Sequence, residues 1–499
     1  MSPAAEPASV THAEVVTAVA RLDREAMAAR RWFGGKGRTI ERIAPDAAFV
    51  LDADARHVLV IATLSLDDRT TQRYALVLTG PSLREAVPGD GAWRSLAVAM
   101  AQGRTLAALQ DDPTAPIAAV LVCRPAAAMP PTGPGAERDL GADQSNTSVV
   151  LGDEVLLKAY RRLQPGLNPD LEMTAFLTEE AGFGAVPPLA GFAELVEARH
   201  GTTTVAMAQQ FVAEGSDAYE TIAETLTGWL MAPGSVSLEY ATEVAADLGL
   251  LTAGLHAAVA DGRGIPDMAP RPATRDEIRR WAAAAHEHLE RAMDVAALRG
   301  RDPSATLDDV VAGDDRVSLA VAAETIRDLA PRILDAITVL DAVPTAPEVI
   351  RAHGDLHLGQ ILITPDGYRI IDFEGEPLST PDERRVHRHP LRDVASMLRS
   401  LDHVGRSAGR RAARRGGGAG DRSGLDLSGW LERSRERFLE SYRAGMLEAR
   451  VLPDLDPALL LAFETDKELY EFSYAATYLP SWLWAPTEGM RGLFRGNRS

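Results

Sequence analysis

Residues His353 to Pro377 read HGDLHLGQILITPDGYRIIDFEGEP, and the way this stretch folds decides what the chain is. ILIT, PDG and YRIIDF form a strand, turn, strand pattern, two short β-prone runs separated by turn residues. The turn folds the second run back beside the first. Gln360, just ahead of the hairpin, is thereby brought close to Asp372 at its far end, and Asp355 lies on the preceding loop. A carboxylate base beside two oxygen donors suits a hard divalent cation such as Mg²⁺, which is held by few protein oxygens together with substrate phosphates. Phosphoryl transfer has this requirement: a base for the hydroxyl proton, and ligands for the metal that holds the phosphates. Zinc is the poorer fit, because His353 and His357 stand at i and i+4 on a loop without the glutamate of a metalloprotease signature.

Such chemistry also needs a cation on the nucleotide phosphates. Only three of the 52 basic residues are lysine, namely Lys36, Lys158 and Lys467. In a chain that uses arginine almost everywhere, a retained lysine points to chemistry arginine cannot do. Lys158 sits in EVLLKAY, the second run of a hairpin pattern whose turn is Gly152-Asp153. The next segment, NPDLEMTAFLTEEAG, has Asn168 placed as an N-cap, Pro169 at the first helical position and Gly182 as the stop. That helix carries Glu172, which is expected to hold Lys158 by an ion pair. No GxxxxGK[ST] loop is present. Gln144-Ser145-Asn146-Thr147 stands ahead of the hairpin, where its hydroxyls, amides and N–H groups are expected to cover phosphates.

The chain has 499 residues, 46% of them hydrophobic, and a formal charge of -19. This length predicts more than one structural unit. The charge disfavours wrapping a nucleic-acid backbone, which needs clustered cations. No apolar run approaches the roughly 20 residues of a membrane span, so no membrane partner is expected. The opening MSPAAEPASVTHAEVV lacks a basic and apolar leader, and Cys123 is the single cysteine; both make the cytoplasm the expected compartment. Helical and alternating runs fill residues 1–100, a Pro/Gly/Ala stretch interrupts the pattern near 124–143, and long helical patterns dominate beyond GSDAYE. Strands early and helices late give an α+β class. Residues 405–424, GRSAGRRAARRGGGAGDRSG, read as a solvated, mobile insertion, with a nucleic-acid-binding arm as the alternative.

Taken together, HGDLHLGQ with DFEGEP, RWFGGKGR at 31–38, SNTSVV…LLKAYRRL, MAQQFV, LGLLTAGLHAAVA at 248–260, HPLRDVASMLRS at 389–400 and DKELYE at 466–471 resemble the aminoglycoside phosphotransferase and choline kinase branch of the protein-kinase-like fold, within it the maltokinase group. The resemblance implies a bilobal fold: a cap subdomain over 1–100, a nucleotide-binding N-lobe over 101–215, and a mostly helical C-lobe with catalytic loop and acceptor site over 216–499. It implies Asp355 as catalytic base, Gln360, Asp372 and Glu374 as Mg²⁺ ligands, and Lys158, Glu172, Ser145, Asn146 and the hinge residues Gln209, Gln210, Phe211 and Val212 around ATP. In many relatives an Asn stands at the position of Gln360, and the longer amide keeps the oxygen.

The resemblance further implies a sugar hydroxyl as acceptor, contacted by Asp355, His357, Arg392, Glu468, Glu471 and Trp482. In maltokinases the segment after the first Tyr-Glu pair continues with a second such pair and polar residues. Here Tyr470, Glu471, Tyr474, Pro480 and Trp482 fit, but Ala475, Thr477, Tyr478 and Leu479 replace the acid and polar positions. A disaccharide that loses hydroxyl partners binds poorly. The acid-rich, aromatic surface left behind, with Asp466, Glu468 and Glu471 at helical spacing, suits an ammonium and a pyranose face. The pattern also resembles the maltokinase-like glucosamine kinases. The leading expectation is therefore an ATP- and Mg²⁺-dependent glucosamine kinase, monomer or homodimer, with no nucleic-acid partner. Maltokinase comes second, ahead of an inactive kinase-fold binding module and a nucleic-acid-associated protein.

Overall fold

A computed structural model describes residues 10–112, 114, 117–131, 133–140, 146–232, 234–299, 319–343, 346–375, 381–416, 426–452 and 455–495. Its chain divides into two compact units, 1–215 and 216–499.

In the first unit, strand His57–Leu66 is buried along nearly its whole length because it faces a core on each side. Its alternation sorts residues by side, as the period of two requires. Val58, Val60, Ala62 and Leu64 pack with Val15, Val19 and Phe33. Leu59 and Ile61 enter a second core with Trp93 and Leu96 of helix Ala92–Ala101. The strand is central in an antiparallel meander with Ile40–Asp52 and Thr71–Thr79, preceded by helix His12–Ala20, whose Thr11 and Glu14 form a capping box.

A second, seven-stranded sheet follows, with the order Thr105–Ala107, Ala119–Pro125, Leu189–Glu197, Gly201–Gln210, Val155–Ala159, Thr147–Leu151, Glu137–Asp139. The hairpin expected around Lys158 is there. Its turn residues Gly152 and Asp153 have φ of 61° and 54°, the left-handed pair of a tight type I′ hairpin. Beyond Lys158 the chain does not stay in this sheet: Arg162–Leu163 pairs with Tyr74 and Arg73 and so becomes a strand of the first sheet. Between the two, Arg161 is buried with its guanidinium over the rings of Trp32 (5.4 Å) and Trp93 (5.0 Å), donating to Thr147 Oγ1 at 2.6 Å and paired with Glu85 at 3.1 Å.

The second unit is mainly helical. Helix Leu391–Gly416 runs through its middle and packs on Ala218–Met231, Leu427–Glu448 and Pro457–Tyr478. The hairpin of the quoted motif forms with Ile361 opposite Ile370 and Thr364 opposite Gly367, and Ser216–Asp217 adds a third strand. One stretch, Leu238–Gly264, is long and apolar enough to cross a membrane by length and composition alone. Here it is a core helix pair, with Leu248, Leu255 and His256 fully buried.

The basic segment from 405 is not the solvated loop expected from its composition. Helix Leu391–Gly416 continues through it, with Ser407 and Ala408 buried. Arg411 and Arg415 form paired hydrogen bonds to Glu220 and Glu224 of helix Ala218–Met231. Alanine and arginine are good helix formers, so a run that reads as low complexity still continues a helix that has a surface to pack on. Residues 417–424 of the expected insertion lie outside the described residues.

Candidate functional site

The loop that carries Asp355 is held from behind by a buried carboxylate. Asp393, in the first turn of helix Leu391–Gly416, accepts from the N–H groups of His353 (2.8 Å) and Gly354 (3.0 Å), and His256 Nε2 lies 3.2 Å from it. Burial opposes the charge on Asp393, but the hydrogen bond and charge of His256 and the Gly354 N–H outweigh it and hold the carboxyl below its usual range. Gly354 has φ of 86°, and the left-handed bend lets two successive N–H groups converge on one carboxylate. The N–H of Asp355 points at Nδ1 of His353 (3.3 Å), so Nε2 of that ring carries the proton and donates to the Ile371 carbonyl at 3.1 Å. One imidazole thus ties the loop to the hairpin.

Asp355 itself faces Lys467, whose Nζ donates to its Oδ1 at 2.9 Å. Burial pushes the carboxyl of Asp355 up, yet the Lys467 ammonium and the neighbouring imidazoles prevail and hold it down at about 2. It is an ionised carboxylate with a cation beside it. This contact was absent from the sequence reading, although the scarcity of lysine had marked Lys467. The other rare lysine, Lys36, donates to the Arg30 carbonyl at 2.6 Å and closes a turn.

The hairpin brings Gln360 and Asp372 together as its pattern predicts, with Gln360 Nε2 3.4 Å from Asp372 Oδ2. His357 lies next to them, 3.5 Å from the Gln360 amide and 3.9 Å from Asp355. Asp372 has φ of 67°, a left-handed conformation that aspartate tolerates better than most side chains. Glu374 is half-buried, with Arg384 3.9 Å away. An amide and a carboxylate side by side are hard oxygen donors of the kind a divalent cation takes.

Opposite the loop, a cleft is lined by His288, Gly354, Arg388, Arg392, Ser396, Asp466, Lys467 and Tyr470. Arg392 pairs with Asp466 at 3.1 Å and lies over the Phe463 ring at 4.7 Å; His288 meets the other oxygen of Asp466 at 2.7 Å. One of the expected acceptor contacts falls elsewhere. Glu468 is fully buried, with Arg399 NH1 at 3.3 Å and His403 Nε2 at 3.0 Å, because one position along a helix turns the side chain about 100° from Lys467 into the core. That removes it as a reader of a substrate ammonium. Trp482 is half-buried, packed edge-on against Tyr219 (5.8 Å) and Trp484 (5.3 Å). Glu471 keeps partial exposure, 3.8 Å from Lys467 and 3.4 Å from His403.

In the first unit, Lys158 Nζ donates to Asp170 Oδ2 at 2.9 Å. Asp170, which the sequence reading did not single out, pairs with Lys158 from the same helix as Glu172. Both stand on the helix that begins at Pro169, but residues two apart point to different sides, and the Asn168 cap aims the first turn at the lysine strand. Glu172 is buried in the same first turn. Gln209 and Gln210 end the strand Gly201–Gln210; the Phe211 N–H donates to the Glu154 carbonyl, its ring lies under Arg138 at 5.1 Å, and Val212 follows half-buried. Asn146 is half-buried just ahead of the Thr147–Leu151 strand, and Ser145 lies outside the described residues.

Residues 136–430 match the model of the phosphotransferase enzyme family, and residues 27–107 match the maltokinase N-terminal cap domain. A glucosamine kinase of Streptacidiphilus jiangxiensis is 30% identical over 81% of this chain and 81% of its own length. Another from Mycolicibacterium smegmatis is 29% identical over 72% of this chain and 79% of its own. Among solved structures, a glucosamine kinase in complex with glucosamine, ADP and inorganic phosphate superposes with a TM-score of 0.69 at 24% identity, over 96% of this chain and 99% of the other, which shows a shared fold. The α+β kinase-like architecture expected from the quoted motif is therefore the one found, and the chain belongs to the phosphotransferase enzyme family, in the group that carries the maltokinase cap and includes the glucosamine kinases.

Proposed function

We propose that the protein is an ATP- and Mg²⁺-dependent sugar kinase that phosphorylates glucosamine to glucosamine 6-phosphate. The observation that carries this reading is an ionised Asp355, held by Lys467 and next in sequence to Gly354, which with Lys467, Arg392 and Ser396 lines a small polar cavity. Ser396 in particular lines that cavity with a buried Oγ that has no hydrogen-bond partner among the described residues. Buried polar atoms are rarely left unpaired, and a sugar hydroxyl would satisfy it. In this reading Asp355 accepts the proton of the attacking hydroxyl, and Lys467 keeps it deprotonated until then. Arg392, oriented by Asp466 and the Phe463 ring, presents N–H donors to ring hydroxyls. Lys158, held by Asp170, neutralises nucleotide phosphate. Gln360 and Asp372 would hold Mg²⁺, which supplies charge neutralisation of the phosphates when bound.

The similarity to two glucosamine kinases near 30% identity supports the amino sugar. With Glu468 buried, Glu471 is the carboxylate left to face an ammonium. Maltose is the second reading, favoured by a column of aromatic rings on helix Pro457–Tyr478: Tyr470 on Tyr474 at 6.2 Å, and Tyr474 on Tyr478 at 5.1 Å. Such faces suit a second pyranose. A coupled ATP-consumption assay over glucosamine, glucose and maltose, with the phosphate position read by NMR, decides. Higher kcat/KM for maltose than for glucosamine sinks the first reading.

A further inference from the structure

Beside the cavity, five charged groups of alternating sign run from the core to Asp355. Glu468, His403, Glu471, Lys467 and Asp355 are linked by separations of 3.0, 3.4, 3.8 and 2.9 Å. His403 is 3% exposed, and each of its ring nitrogens faces a carboxylate, Nε2 toward Glu468 and Nδ1 toward Glu471. A neutral imidazole donates from one nitrogen only, so this arrangement calls for the imidazolium. Glu471 is shared: on its helix it stands one turn from Lys467, and across to the neighbouring helix it meets His403.

We propose that His403 is a positioning residue for phosphoryl transfer: by holding Glu471 to itself, it leaves the Lys467 ammonium to Asp355. The inference rests on the reading of Asp355 as the proton acceptor. Lys467 stands between Asp355 at 2.9 Å and Glu471 at 3.8 Å, and the relative charge of these two carboxylates weighs on which one it serves. With His403 charged, Glu471 is neutralised from the other side. The groups facing His403 favour its charged form. Glu468 and Glu471 come from helix Pro457–Tyr478, and Asp402 and Arg399 from its own helix, with Asp402 also paired to Arg406 at 2.5 Å. Tyr219 of helix Ala218–Met231 donates to the His403 carbonyl at 3.4 Å, and the edge of Trp482 lies 6.1 Å away. Burial disfavours the imidazolium, but the charges of Glu468, Glu471 and Asp402 outweigh it and raise its proton affinity.

The test is the acid limb of the kcat profile, read above about pH 4, where the fold persists, the acceptor amine stays protonated and wild-type Asp355, held down at about 2, leaves kcat flat. In His403→Gln, Glu471 competes for Lys467, the buried Asp355 ionises less readily, and the limb is expected to move up by about 1 to 3 pH units, with the KM for ATP unchanged. The double variant His403→Gln/Glu471→Gln removes the competitor and should return the limb to its wild-type position, whatever the height of the plateau. A merely structural role predicts no such rescue. An unmoved limb in folded His403→Gln, or a limb still raised in the double variant, overturns the proposal. Should His403→Gln fail to fold, His403→Arg, which keeps the charge, decides: the wild-type limb is expected and a raised one overturns it. Asp355→Asn is the control. If that variant turns over normally, the base assignment falls and this inference with it; if it is inactive while the limb does not move, only the role of His403 falls.

Discussion

Asp355 and Lys467 stand 112 positions apart in the chain and 2.9 Å apart in the fold. Asp355→Asn keeps the shape of the cleft and removes the proton acceptor, so turnover should drop on the order of a hundredfold or more while nucleotide affinity persists; steady-state rates beside ATP titration calorimetry check this, and near wild-type turnover would take Asp355 out of the reaction. Glu471→Gln keeps size and hydrogen bonding but removes a charge. If Glu471 meets the substrate ammonium, the glucosamine-to-glucose ratio of kcat/KM should fall about tenfold, the worth of roughly 1.5 kcal/mol in a charge-assisted bond. An unchanged ratio returns maltose to first place. Residue chemistry within one motif was legible because a hairpin fixes neighbours by register: Gln360 and Asp372 meet as the turn dictates. Partners across elements were not. Neither the pairing of Lys467 with Asp355 nor that of Lys158 with Asp170 follows from spacing, since both depend on how one helix is rotated against a strand or loop.

Helix Leu391–Gly416 shows the same limit at the next scale. Its first turns carry the buried Asp393 and its last turns the arginines that looked like a solvated arm, and no composition signal separates the two. Removing 406–420 is expected to unfold the C-terminal unit rather than trim a loop, since it deletes the buried Ser407 and Ala408 together with the pairing of Arg411 and Arg415. A gentler test is Gly405→Leu. A Cβ there would already lie 2.7 Å from Trp430 and Leu431, so overpacking should cost about 1 to 3 kcal/mol, seen as a lower thermal midpoint. A midpoint equal to wild type would mean that the helix crossing at Gly405 has slack. By contrast, the helix that begins at Pro169 was readable in advance, because its Asn cap and Pro start are local signals that need no partner.

The net charge of -19 favours solubility but leaves unsaid where charges are buried. In the C-terminal unit, Asp355, Asp393, Asp402 and Asp466 are all held below the usual carboxylate range, each against burial and by a cationic partner. A carboxyl whose folded pKa is depressed adds stability above its unfolded value near 3.9, and that stability is lost as pH falls through the folded value, about 2 for Asp355. The urea midpoint should therefore fall steeply as pH drops below about 4. His403 has the opposite sign: its raised affinity stabilises the fold below about pH 6.5 and lapses as pH climbs through the raised value. A midpoint flat from neutral pH down to 3 would show that these buried ion pairs contribute nothing net. At this scale the sequence told class and order of parts, yet not that residues just past Lys158 leave one sheet for the other. Because Arg162–Leu163 completes the sheet whose other main strands lie before residue 80, the amino-terminal portion is stitched closed by a thread drawn from the chain just past the second sheet's Lys158 strand. It is neither a lid that can be clipped off nor a cassette that can be moved to another kinase. A lineage that discarded it would have had to re-route the backbone four residues from the lysine that meets ATP in the proposed reaction.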